Sequence, residues 1–285
     1  GLHRWHDKQH SQQHSQQQQQ QQRRPRGTLR EACRHAAISC LWPQLQCALA
    51  NSNAQQQQDL LLLPALLDLV GPVPGTFVEL GAYDGVQLSN TYMLERCFNF
   101  TGLLIEANPT NFEKMRSSSG RSRSRMVHSA VCGDAPEGRP GTVHMTVDGA
   151  NVARQVLPES DAGGNQTRRV EPGGTAPRGR MRAAPRTAEV PCAPLQALME
   201  RHGFQGGADF LSLDVEGAED LVLRTVSPAA FKYIMVETEL DVSNRRTISA
   251  VDQRIRGAGL VRARELTGIQ YNTVYRSPHV GLGRG

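Results

Sequence analysis

Apolar residues are unevenly spread along the chain. They are sparse up to about residue 27, gather in a short stretch within 28–50, and become dense and patterned from Asp59 onward. Leu60 to Val70 is apolar on nearly every side, which predicts a buried helix closed by a turn at Gly71, Pro72, Pro74 and Gly75. Thr76 to Leu80 reads as a short strand. Val86 to Phe98 reads as a helix with Val86, Met93, Leu94 and Cys97 inward. Leu103 to Ile105 is a second strand, and Asn108-Pro109 marks a helix start, with the cap residue before proline in the first turn. Val127 to Val131 is a third strand. This alternation predicts right-handed crossovers and a mostly parallel sheet covered on both faces.

The pattern continues with an extended piece at Gly141 to Val147. A Gly-, Pro- and Arg-rich stretch at about 158–188 reads as a disordered insertion, with the fold resuming at Val190. Leu195 to His202 is a helix, Phe210 to Leu213 a strand, Ala218 to Val226 a helix and Tyr233 to Val236 a fifth core strand. A helix at Ser249 to Arg256 follows. Leu260 to Leu266 and Gln270 to Arg276, joined through Thr267-Gly268, form a closing hairpin. Residues 1–58 read as a largely disordered arm, with a glutamine run at Gln16 to Gln22 and another at Gln55 to Gln58. A short helix is expected within residues 28–50, interrupted by Pro43. The folded domain is then 59–280.

Composition adjusts this picture. A hydrophobic share of 38% is low for a wholly folded chain, in keeping with a disordered arm and insertion. The net charge of +5 would suggest nucleic acid only if the basic residues shared a folded face. They fall instead in local runs such as Arg121, Arg123 and Arg125, read as basic flexible segments, so no specific nucleic acid is expected. The six cysteines show neither a disulfide framework nor zinc spacing and read as reduced, partly buried thiols. The longest apolar run is too short for a transmembrane segment. The chain begins at Gly1, leaving room for a targeting segment before it; a soluble, cytoplasmic protein is the default expectation.

Ligands of open α/β sheets bind at the carboxyl ends of the strands. Four features fall there: Phe77 to Gly85, Leu103 to Glu106, Cys132-Gly133-Asp134, and Asp209 to Glu219. Gly81 and Gly85 let the backbone turn and approach a ligand. Glu106, 21 positions beyond Gly85, suits the two hydroxyls of an adenosine ribose. A dinucleotide pyrophosphate needs bare backbone N–H groups, whereas this turn carries Glu79 and Asp84. A carboxylate 4 Å from a phosphate costs on the order of 4 kcal/mol at an effective dielectric of 20. The same carboxylates suit the ammonium and sulfonium of S-adenosyl-L-methionine.

FVELGAYDGVQLSNTYMLE, GLLIEANPTNFEKM and DFLSLDVEGAEDLVL resemble three successive blocks of FkbM-type S-adenosylmethionine-dependent methyltransferases. The resemblance spans about 76–240, and D-V-E-G-A-E is its most specific part. It implies a Rossmann-like class I methyltransferase fold, with a seven-stranded sheet whose last strand is antiparallel. It further implies methyl transfer to a hydroxyl of a sugar or other small molecule, making the partner a small-molecule or glycan acceptor. The expected cofactor-binding residues are Glu79, Gly81, Ala82, Asp84, Gly85, Glu106, Cys132 and Asp214. Asp214 and Glu216 are the expected catalytic carboxylates, with no metal required.

Plainer readings exist for the same residues. The glycines make a turn, Asp84 stabilises it, and Glu219 caps the following helix. Glu237 and Glu239 are open between surface and substrate contact, and His128, His144 and His202 read as structural. Asn99-Phe-Thr and Asn165-Gln-Thr fit the N-glycosylation pattern, which matters only in a secreted chain. A non-catalytic interaction protein and a nicotinamide-dependent oxidoreductase are the competing functions. The second lacks its bare glycine turn.

Overall fold

The computed structural model describes residues 42–133, 141–147, 154–155, 187–238 and 245–280. In chain order these form α1 (Trp42–Asn51), α2 (Gln58–Val70), β1 (Thr76–Leu80), α3 (Tyr92–Phe98), β2 (Thr101–Glu106), α4 (Pro109–Ser118), β3 (Ser124–His128), β4 (Ala130–Val131), β5 (Gly141–Thr146) and β6 (Arg154–Gln155). There follow β7 (Thr187–Ala193), α5 (Leu195–Arg201), β8 (Ala208–Leu213), α6 (Glu219–Arg224), β9 (Phe231–Glu237), α7 (Arg245–Gly257), β10 (Val261–Arg262) and β11 (Asn272–Arg276).

Successive strand residues point to opposite faces, and the core divides accordingly. Val78, Leu80, Leu103, Ile105, Leu211, Leu213, Ile234 and Val236 pack on one face with residues of α5, α6 and α7. Phe77, Leu104, Phe210, Tyr233 and Met235 pack on the other with Ala48 of α1, Leu62, Leu63 and Leu66 of α2, and Met93, Leu94 and Met115. Both faces being apolar is what a parallel sheet requires.

The main sheet has seven strands in the order β10-β11-β9-β8-β1-β2-β3. β1 is parallel to both β2 and β8, β2 to β3, and β8 to β9, while β11 runs antiparallel to β9 and to β10. This is the Rossmann-like class I methyltransferase arrangement, with its last strand antiparallel. Strand order reverses between β1 and β8. That switch point is where a cleft opens at the carboxyl ends of the strands.

Several elements differ from expectation. The helix predicted from Val86 begins only at Tyr92, because side chains claim the preceding backbone. Asp84 accepts N–H bonds from Val86 (2.9 Å) and Gln87 (2.7 Å), and Leu88 is left-handed at φ 60°. The third strand splits at Ser129: β3 stays in the main sheet, and β4 joins a second sheet ordered β4-β7-β5-β6. Within the arm, where a short helix interrupted by Pro43 is expected in 28–50, residues 42–51 form α1 with Pro43 in its first turn, where no N–H is needed. The expected insertion falls largely on residues outside the described set, and β7 begins at Thr187, before the expected restart at Val190.

The reduced-thiol expectation is corrected. Cys47 of α1 is bonded to Cys97 of α3, and Cys132 to Cys192 of β7. The partners lie 50 and 60 residues apart, so local spacing carried no sign of them. Arg121 is also corrected. It is 3% exposed and bonded to Glu95 (2.7 Å), Thr91 Oγ1 (2.8 Å), Ser89 Oγ (3.2 Å) and the Gly85 carbonyl (2.9 Å).

Candidate active site

β1, β2, β8 and β9 end at one rim, and each contributes an acid or a polar residue there. The result is a cleft of about 740 Å³, lined among others by Glu79, Gly81, Tyr83, Asn90, Glu106, Ser129, Asp214, Glu216 and Glu237. Its size lies within the range of small-molecule sites.

Gly81 holds φ +74°, and a Cβ there would overlap the carbonyl oxygen of Asp214. The Asp214 N–H in turn donates to Leu80 O at 3.4 Å. The glycine therefore lets the ends of β1 and β8 cross closely and face one cleft. Gly85 (φ +77°) serves packing: a Cβ would sit 2.9 Å from Met115 Cγ.

Glu106 ends β2 and is buried. Oε2 accepts the Tyr83 N–H at 2.8 Å and Oε1 the Asn108 N–H at 2.7 Å. Burial outweighs these bonds and pushes its carboxyl up to about 7. The Ala107 N–H and the Asn111 side chain also bond to this carboxyl. Asn108 meanwhile caps α4 by accepting from Thr110 N–H at 2.9 Å.

Glu79 is held from within the protein. It accepts from Ser89 Oγ (2.9 Å), Asn90 N–H (2.8 Å) and Thr91 Oγ1 (2.5 Å), with the Arg121 guanidinium 4.0 Å away. It shapes the loop after Gly85 while also lining the cleft. Asn90 donates through Nδ2 to Ser212 Oγ at 3.0 Å, whereas its buried Oδ1 has no partner among the described residues.

The carboxyls of Asp214 and Glu237 hydrogen-bond each other, and both pKa values are raised. Burial is the first cause for each. The neighbouring Glu216 and Glu219 add repulsion to both, and Asp214 itself repels Glu237. An ionised carboxylate only accepts, so this contact requires one proton on the pair. Glu237 Oε2 is buried with no partner among the described residues. Glu216 lies in the adjoining turn at φ 57°, and Glu219 Oε1 accepts from Gly217 N–H (3.0 Å) and Val215 N–H (3.3 Å), fastening that turn.

Of the residues expected to bind the cofactor, Glu79, Gly81, Glu106 and Asp214 meet on the cleft wall, together with the expected catalytic Glu216. Ala82 faces the core, Asp84 fastens the turn, and Gly85 packs against Met115. Cys132 is tied to Cys192, and its neighbours Ser129, Ala130 and Val131 line the cleft instead. Asn90 and Ser212 were missed: nothing marks a loop asparagine or a mid-strand serine until the loop folds over the sheet. Glu237 was left open by sequence, and Glu239 lies outside the described residues.

The donor set fits S-adenosyl-L-methionine. Asn90 Oδ1 and Glu237 Oε2 are buried acceptors with no partner among the described residues, as an ammonium group requires, and the Glu106 carboxyl stands at the end of β2 on the cleft wall, suited to the ribose hydroxyls. The Asp214–Glu237 pair is unsuited to a pyrophosphate for the same reason.

The Methyltransferase FkbM domain model matches residues 79–259. No curated protein matches. Among solved structures, the chain is similar to an FkbM methyltransferase from Methylobacillus flagellatus (13% identity, 85% of this chain and 60% of that one, TM-score 0.37). It is also similar to an O-methyltransferase from Bacillus cereus in complex with SAH (11%, 83% and 89%, 0.38). A third is fibrillarin from Aeropyrum pernix with natively bound S-adenosyl-L-methionine (12%, 75% and 72%, 0.36). The family match covers more than half of the chain and contains the whole glycine turn and both acidic strand ends. The protein is accordingly an S-adenosylmethionine-dependent methyltransferase and belongs to the FkbM family.

Proposed function

We propose that the protein methylates a hydroxyl oxygen of a small-molecule or glycan acceptor. The observation that carries this reading is the meeting of the Asp214 and Glu237 carboxyls at the cleft wall, where burial raises the pKa of both. When bound, S-adenosyl-L-methionine supplies an electrophilic methyl group on a positively charged sulfur. Glu106 holds the ribose hydroxyls, and Asn90 Oδ1, with the acids beside it, receives the ammonium group.

Asp214 acts as general base. The bound donor would supply its methyl group to the acceptor oxygen, its sulfur keeping the electron pair of the broken bond, and Asp214 would take the hydroxyl proton. Glu237, hydrogen-bonded to Asp214, keeps that carboxyl oriented. A base whose pKa lies above the ordinary carboxylate range is better matched to neutral pH. Glu216 is the second carboxylate on the reacting side. Proton transfer contributes about 10²–10⁴-fold, and holding the reactants in line supplies the remainder.

The test is transfer of a labelled methyl group from the donor to fractionated metabolites and glycans. Label on a hydroxyl, as a methyl ether stable to mild base, supports the proposal. Label exclusively on nitrogen, carbon or carboxylate acceptors refutes it.

A further inference from the structure

We propose that Asn99 carries an N-linked glycan, attached where the chain matures in an oxidising secretory lumen. Two independent observations meet here, and neither depends on the methyl acceptor.

The first is the state of the cysteines. All four within the described residues are paired, in two bonds that tie together elements far apart in sequence. Such bonds persist in oxidising compartments and are rare where glutathione and thioredoxin keep thiols reduced. The cytoplasmic default drawn from the sequence is thus opposed by the fold. The condition under which a glycosylation triplet has meaning is met.

The second is how the triplet Asn99-Phe100-Thr101 is presented. Asn99 caps α3 in a left-handed conformation (φ 59°, ψ 22°), and its backbone N–H donates to Leu94 O. Phe100, fully buried, anchors the turn against the core beside Gly75, whose Cβ position its ring would occupy. Asn99 and Thr101 on either side are exposed, and among the described residues neither side chain takes part in a hydrogen bond. A bulky, hydrophilic glycan on Asn99 is compatible with the fold around it. Asn165 has the same triplet but lies outside the described residues.

In the transfer, Asn99 Nδ2 bonds to the anomeric carbon of a lipid-linked oligosaccharide diphosphate. The bond from that carbon to the diphosphate oxygen breaks, its electron pair leaves with the lipid diphosphate, and the amide gives up one proton. Asn99 is 2 residues from Cys97, so the glycan sits at the edge of the α1–α3 junction, outside the cleft.

The chain recovered from its own cells with thiols blocked is digested and mapped by mass spectrometry. The expected result is a glycopeptide containing Asn99, which an N-glycosidase converts to the peptide bearing aspartate there. In a secretory eukaryotic host, N99Q and T101A should each remove the same increment of mass, and N165Q should leave it. An unmodified Asn99 peptide overturns the proposal, whether the cysteines are found linked or free, as does a glycan confined to Asn165. Should a variant fail to be secreted, the map of the unmutated chain still decides.

Discussion

The carbonyl of Asp214 passes so close to Gly81 that no side chain fits between them. The cofactor turn after β1 and the acidic end of β8 are thereby built against each other. Any residue other than glycine at 81 meets both this overlap and a positive φ that L residues rarely adopt. Gly81→Ala is therefore expected to push the two strand ends apart. Donor affinity, measured by calorimetry, should fall at least tenfold. Gly120→Ala, where nothing lies within 4 Å of the Cβ but φ is also positive, controls for backbone strain alone.

Glu106 predicts a pH dependence. Its carboxyl rises from 4.5 to about 7 on folding, chiefly through burial. The folded state thus binds a proton more tightly than the unfolded state. Its contribution is fully present below pH 4.5 and is lost as pH rises through about 7, a decline on the order of 3 kcal/mol. Glu106→Gln should flatten that part of the stability profile in denaturant titrations at successive pH values. The same change should weaken donor binding by about 1.5–3 kcal/mol for each charge-assisted bond lost.

Asp214→Asn separates chemistry from binding. The amide is nearly isosteric but cannot take a proton at neutral pH. Turnover should drop about 10²–10⁴-fold while calorimetric donor affinity moves little. A parallel fall in affinity would instead place Asp214 on the donor's ammonium group and move the base role to Glu216.

Arg121 joins Glu79, Glu95 and the loop between them from within the core. Arg121→Met would leave two buried carboxylates uncompensated, and a loss of about 3–5 kcal/mol is expected from thermal or urea unfolding.

The disulfides should be measurable as stability. Breaking either by Cys→Ser is expected to cost about 2–4 kcal/mol and to lower Tm by about 5–15 °C in a chain of this size. With α1 fastened to α3 through Cys47–Cys97, trimming the N-terminus to residue 58 should destabilise the fold as well. A truncated chain with unchanged Tm would show α1 to be dispensable.

Local pattern determined much of this protein. Strand segments such as Thr76–Leu80 and Phe210–Leu213 are short apolar runs between turn residues, and burial on both faces of the sheet leaves that signature in the sequence alone. Asn108-Pro109 announced α4 because capping is decided within four residues. Glycines and acids at strand ends located the cleft, since chain direction in a parallel sheet brings those ends to one rim. Tertiary structure decided what depends on distant partners. Cys47 and Cys132 look like ordinary thiols until folding brings Cys97 and Cys192 beside them. Arg121 sits in an arginine-rich run and becomes a buried strut because Glu79 and Glu95 converge on it. Glu237 is one acid among several until β9 pairs with β8, leaving its carboxyl against Asp214 and its pKa raised. Hydrogen bonds and charge pairs of this kind act over a few ångströms of space, and sequence separation carries no trace of them.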